Sequence, residues 1–166
     1  MDKERIKTHA GSAPLPTNLG GVSAAGTKYI FETRMEVRDY ECDIEGIVNN
    51  ANYLHYTEHT RHLFLKQCGL SFAEMHDKGV DAVVARMNLQ YKSPLRCDDE
   101  FISRLWVEKH NIKYIFHQDI YRASDSAHCF HGDITLVCLV NGKLGESAEY
   151  NEAFRPYMVV KDPAHL

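Results

Sequence analysis

Between Asp39 and Asn52 the chain reads D-Y-E-C-D-I-E-G-I-V-N-N-A-N, acids first and amides after. Asn49, Asn50 and Asn52 are each suited to start a helix, because a side-chain oxygen can accept an N–H that the first turn leaves bare. Those bare amides, with the helix dipole behind them, make a small positive pole. Asp43 stands seven residues before Asn50, and Gly46 between them permits a sharp turn. A carboxylate folded back beside such amides can attack a carbonyl carbon, or take a proton from the water that does, while the amides steady the oxyanion. Asp43 and the Asn50 backbone are therefore the candidates for catalysis. Asp39 and Glu41 read as solvated loop acids. Cys42 reads as packing, since a thiolate needs a nearby base or a positive field and acids flank this one.

The next stretch holds His55, Glu58 and His59, the literal H-x-x-E-H string of inverted zinc peptidases. Two histidines at i, i+4 can chelate a metal. A chain with ten histidines makes so short a string readily, and no third ligand is evident. The pattern is read as a polar face turned to solvent or to a partner subunit, with no metal and no cofactor assigned. Glu58, one to two turns into the helix, remains a candidate catalytic group at a subunit boundary.

These residues need a frame. Placed at 100° steps, Tyr53, Leu54, Tyr56, Thr57, Thr60, Leu63, Phe64, Leu65 and Cys68 share one broad arc of a helix over 52–68, about 25 Å long. His55, Glu58, His59, His62 and Lys66 gather opposite, and Gly69 is the natural stop. Before the loop, residues 29–37 alternate as a half-buried strand. After the helix, Ser71 and Glu74 suggest a capped short helix over 71–77. Four strands are expected over 80–91, 100–110, 113–123 and 131–140, with Asn141-Gly142 as a tight turn. Short gaps make neighbouring strands antiparallel. The order predicts an α+β fold in which one long helix packs on one face of a curved antiparallel sheet of about five strands. Residues 1–27, rich in Gly, Ala and Ser, read as a flexible extension outside a single domain over 28–157, with 158–166 as a tail.

The totals agree with one domain and one core: 166 residues, 44% of them apolar. A net charge of −4 gives no footprint for nucleic acid. No apolar run reaches membrane-spanning length, and the N-terminus lacks a secretory apolar region. Five scattered cysteines without a C-x-x-C pair fit reduced thiols, so a cytoplasmic protein is expected.

The run Glu41-Cys42-Asp43-Ile44-Glu45-Gly46-Ile47-Val48-Asn49-Asn50-Ala51-Asn52-Tyr53-Leu54 resembles the loop-to-helix motif of hotdog-fold acyl-CoA thioesterases of the 4-hydroxybenzoyl-CoA type. A second block, Y-K-S-P-L-R-C-D-D-E over 91–100, is similar to that family's strand-to-strand passage. The resemblance implies a hotdog fold and hydrolysis of acyl-CoA without a cofactor. It puts Asp43 on the catalytic carboxylate and the Asn50 N–H on the group that polarises the thioester carbonyl. It implies homodimers or homotetramers with sites at the dimer boundary, where Gly46, Val48, Tyr53, Glu58 and His59 meet substrate. It also makes Lys109, His110 and Lys113, around a hairpin, candidates for CoA phosphates. Asn49-Asn50 is similar to the V-N-N of plant-type acyl-ACP thioesterases, but Glu45 and Ile47 stand where that group carries Asn and His. That favours CoA over a carrier protein. A non-catalytic acyl-CoA sensor with the same fold is the competing function.

Overall fold

The computed structural model describes residues 21–24 and 26–158. Among the described residues, nine strands and α-helices follow in order, with a 3-10 turn at Asp39–Glu41 before the first helix: β1 Phe31–Glu36, α1 Asn50–Gln67, α2 Phe72–Asp77, β2 Val80–Tyr91, β3 Glu100–His110, β4 Lys113–Arg122, β5 His128–Val140, β6 Lys143–Gly145 and α3 Ala148–Phe154. Most of the expected extension, and most of the tail, lie outside the described residues. The last of the extension forms a tight turn in which Val22 bridges to Lys28.

The sheet runs β1-β3-β4-β5-β2, antiparallel at every pairing. β2 and β3 are consecutive in sequence yet not neighbours, because β1 takes the place beside β3 and β2 crosses to β5. β6 is a strand the alternation did not predict. It pairs with β5 at Cys138, just past the last β4 partner at Val137. The turn into it is Asn141-Gly142, both at positive φ, as a two-residue hairpin requires.

α1 runs across the inner face of this sheet. Asn49 caps it, its Oδ1 accepting the Ala51 N–H at 3.0 Å, and it ends before Gly69, whose φ of +76° takes the left-handed stop. Ser71 caps α2 through the Glu74 N–H. The apolar arc of α1 divides between two clusters. Phe64 and Leu65 join Phe31, Phe116, Ile134, Tyr150 and Phe154 toward the helix C-terminus. Tyr53 and Tyr56 join Val37, Val48, Leu95, Phe101, Ile120 and Phe130 toward its start. Burying Phe64 alone is worth about 3 kcal/mol. Between the clusters lies a polar belt the helical wheel did not single out. Thr60 Oγ1 donates to Ser103 Oγ at 2.7 Å, Arg61 to Gln118 Oε1 at 2.7 Å, and Gln118 Nε2 to the Thr57 carbonyl at 2.9 Å. Burial pushes the Arg61 guanidinium down to about 10. These bonds fix the rotation of α1 on the sheet, and so the direction in which its N-terminus points.

β2 is the sheet's long edge. Its far side has no strand partner among the described residues, and Val83, Val84 and Met87 stand exposed along it.

Candidate active site

The loop before α1 is a miniature hairpin. Cys42 bridges to Val48, the Asp43 N–H donates to the Ile47 carbonyl at 2.9 Å, and the Gly46 N–H returns to the Asp43 carbonyl at 3.0 Å. Gly46 sits at φ +71°, a conformation that favours glycine. Inside this turn the half-buried Asp43 accepts the Glu45 N–H on Oδ1 at 3.0 Å. Among the described residues its carboxylate has no other hydrogen bond and no ion pair. The first amide of α1 is equally bare: Asn49 caps Ala51, not Asn50, so the Asn50 N–H meets no acceptor among the described residues.

Two loop acids expected to be solvated part company. Asp39 is exposed, but Glu41 is only 7% exposed. Its carboxylate accepts the Tyr56 hydroxyl at 2.7 Å and the Arg38 N–H at 2.8 Å, and pairs with the Arg38 guanidinium at 3.2 Å. Its carbonyl takes the Asn49 N–H and the Asn52 side-chain amide. Glu41 therefore pins the loop to α1, which is why it is buried. Burial and the Glu41 carboxylate together drive the Tyr56 hydroxyl well above the usual tyrosine range.

The second sequence block meets the first here. The Val48 N–H donates to the Leu95 carbonyl at 2.8 Å, and the Leu95 N–H to the Tyr53 hydroxyl at 3.1 Å. Arg96 reaches the Gly46 carbonyl at 3.4 Å, and the Tyr91 hydroxyl reaches the Asn50 carbonyl at 3.3 Å. Tyr53 stacks on Phe130 with centroids 5.4 Å apart. Val48 and Tyr53 are thus buried supports beneath the loop, while Gly46 lies on its exposed rim. Sequence reasoning did not single out Leu95, Arg96 or Tyr91, although the second block was signal enough to find them.

The H-x-x-E-H residues separate around α1. His55 and His59 line an open cleft of about 920 Å³ with Arg34, Arg38, Glu41 and Asp98. Glu58 lines a different cavity of about 80 Å³, mostly apolar, with Arg61, Phe72, Val84 and Phe154. Neither space is lined by Asp43. Around the β3–β4 hairpin, Lys109 pairs with Glu146 at 3.2 Å and His110 with Glu108 at 3.2 Å, while Lys113 is exposed. No helix among the described residues is long and apolar enough to cross a membrane.

The chain matches the model of the thioesterase-like superfamily over residues 37–156. It is 38% identical over 77 residues to a chloroplastic acyl-acyl carrier protein thioesterase of Arabidopsis thaliana, a match spanning 46% of this chain and only 40% of that protein. It is 34% identical over 94 residues to the putative acyl-CoA thioesterase YneP of Bacillus subtilis, over 56% of this chain and 68% of that one. Among solved structures, a hypothetical protein of Aquifex aeolicus superposes with a TM-score of 0.69 at 29% identity, over 74% of this chain and 98% of that one. A match that covers both sequence blocks and every element from α1 to α3 makes this chain a member of the thioesterase-like superfamily, built on the hotdog fold.

Proposed function

We propose that the chain hydrolyses acyl-CoA thioesters at the loop-to-helix junction, with Asp43 as nucleophile or general base. The observation that carries this is the pair of under-bonded groups, an Asp43 carboxylate with one backbone donor and an Asn50 N–H with no acceptor. As nucleophile, an Asp43 oxygen attacks the thioester carbon, the oxyanion takes the Asn50 N–H, and CoA leaves as the thiolate. Water then cleaves the resulting anhydride. As general base, Asp43 takes a proton from the water that attacks directly.

The active unit is a homodimer or a larger homo-oligomer of such pairs. Twelve residues of β2 with an open edge and exposed Val83, Val84 and Met87 support edge-to-edge pairing. Partner residues across that seam then complete an acyl pocket that Asp43 does not line in one chain. Glu58 and His59 reach substrate from α1, and Lys109, His110 and Lys113 face the CoA phosphates. A second reading, hydrolysis of acyl groups on a carrier protein, is favoured by the name of the Arabidopsis relative.

A thiol-release assay over acyl-CoA and acyl-carrier-protein panels tests this, run on the wild type and Asp43→Asn. Turnover on CoA esters that collapses in the variant is expected. Saturable acyl-CoA binding with no thiol released would make the chain a sensor, and full activity in Asp43→Asn would remove the mechanism.

A further inference from the structure

The outer face of the sheet, away from α1, carries a cluster that no part of the loop chemistry uses. Asp119 on β4 is 3% exposed. Its Oδ1 faces His128 Nε2 at 2.7 Å and His131 Nδ1 at 2.9 Å, both from β5, and its Oδ2 accepts the Tyr29 hydroxyl at 2.8 Å. One ligand atom from each of Asp119, His128 and His131 lies within 4.8 Å of the others. The cluster opens on a cleft of about 400 Å³ lined by Gln90, Lys92, Trp106, His117 and Asp133.

His128 reaches this face through an irregularity. Ile120 pairs with Phe130 but Tyr121 pairs with His128, so Cys129 is an extra residue in β5. Both Cys129 and Phe130 point into the core, and His128 is turned outward to stack on Tyr121. Plain alternation would have set His128 and His131 on opposite faces.

We infer that Asp119, His128 and His131 bind one divalent cation of the zinc type. Two imidazoles and one carboxylate suit Zn²⁺, Co²⁺ or Ni²⁺ rather than Mg²⁺ or Ca²⁺, which prefer all-oxygen shells. Metal–ligand bonds of about 2.0–2.1 Å set tetrahedral donors about 3.3 Å apart. The two imidazole nitrogens, at 2.7 and 2.9 Å from Asp119 Oδ1, therefore each move about half an ångström away from it as the ion takes the place of the shared protons. Each imidazole then offers a lone pair and carries its proton on the other nitrogen. For His131 that nitrogen already faces Asp133 Oδ1 at 3.1 Å, the outer carboxylate that orients a metal-bound imidazole. For His128 it faces Lys92 Nζ at 3.3 Å, and the exposed lysine turns to solvent when the ion binds. Tyr29 keeps Asp119 to one metal-bound oxygen, and water fills the fourth position from the cleft.

The test is calorimetric titration of ZnCl₂ into tag-free, EDTA-treated protein carrying Cys97→Ser, which removes the exposed thiol. One equivalent per chain is expected, with a rise in Tm. His128→Ala and His131→Ala weaken binding at least tenfold, and Asp133→Asn weakens it about tenfold. Lys92→Met, an exposed change that leaves the fold alone, tightens it. Asp43→Asn binds zinc as the wild type does, which separates this site from the hydrolytic one. No saturable binding by the wild type, unchanged affinity in both histidine variants and in Lys92→Met, or binding abolished by His55→Ala and His59→Ala instead, would each overturn the assignment.

Discussion

Two carboxylates, Asp43 in the turn before α1 and Asp119 on the far side of the sheet, are bonded in opposite ways. Asp43 accepts one backbone N–H, while Asp119 holds a tyrosine and two histidines. Burial works against a charge on Asp119, yet the hydrogen bonds from His131 and Tyr29 outweigh it and keep the carboxyl below its ordinary range. A carboxylate so well served is a poor base and a poor nucleophile. One that lacks donors keeps its lone pairs for a substrate, and the Asn50 amide seven residues on also lacks a partner among the described residues. The number of donors, more than the residue type, separates the proposed reactive site from the stabilised one.

That contrast can be broken by experiment. The largest effect is expected from Asp43→Asn. The amide still accepts from Glu45 N–H, so the melting temperature holds, while turnover falls about a thousandfold. An equal loss of stability would mean that Asp43 is as structural as Asp119. Next comes Asn50→Pro, at a helix position that tolerates proline because its N–H has no intrahelical partner. Removing that single donor lowers kcat about a hundredfold, whereas Asn50→Ala, which keeps it, leaves the rate near wild type. Equal rates in the two variants would dismiss the amide from the mechanism. Asp119→Ala should do the reverse of Asp43→Asn, costing about 2 kcal/mol in urea unfolding with little change in turnover per folded chain.

The smallest effect comes from an exposed reference pair. His76 Nδ1 lies 2.7 Å from Asp81 Oδ1, joining α2 to β2, and that hydrogen bond and charge raise the ring's pKa above 6.5. Its contribution is fully present below about pH 6.5 and is lost as pH rises through the raised value. The difference in urea midpoint between the wild type and His76→Gln should therefore shrink from about pH 6 to about pH 8. A constant difference would show that the pair does not titrate as described.

Much of this was legible in the chain. The strand alternation, the arc of α1 and the stop at Gly69 are local patterns, and the structure keeps them. Glu41 was misread because its burial depends on Tyr56, fifteen residues on, and on a 3-10 turn at residues 39–41 that no periodicity announces. Arg61 was missed for a related reason, since its partner Gln118 lies 57 residues on, in β4. β6 and α3 were given no element, because three residues after a turn carry too little alternation and seven residues make too short a helix to read. The Asp119 cluster was invisible, since its geometry requires one residue of β5 to fall out of step.

That extra residue gives β5 two independent ends. From Phe130 onward the strand keeps the phase that packs it against β2 and α1, while upstream of Cys129 the phase is reversed. Straightening the strand at position 129 without shortening it would swing the His128 imidazole inward and leave Asp119 one donor short, whereas deleting Cys129 would keep that imidazole outward. One added residue thus decides which face of the sheet His128 occupies, while the strand from Phe130 onward stays in register.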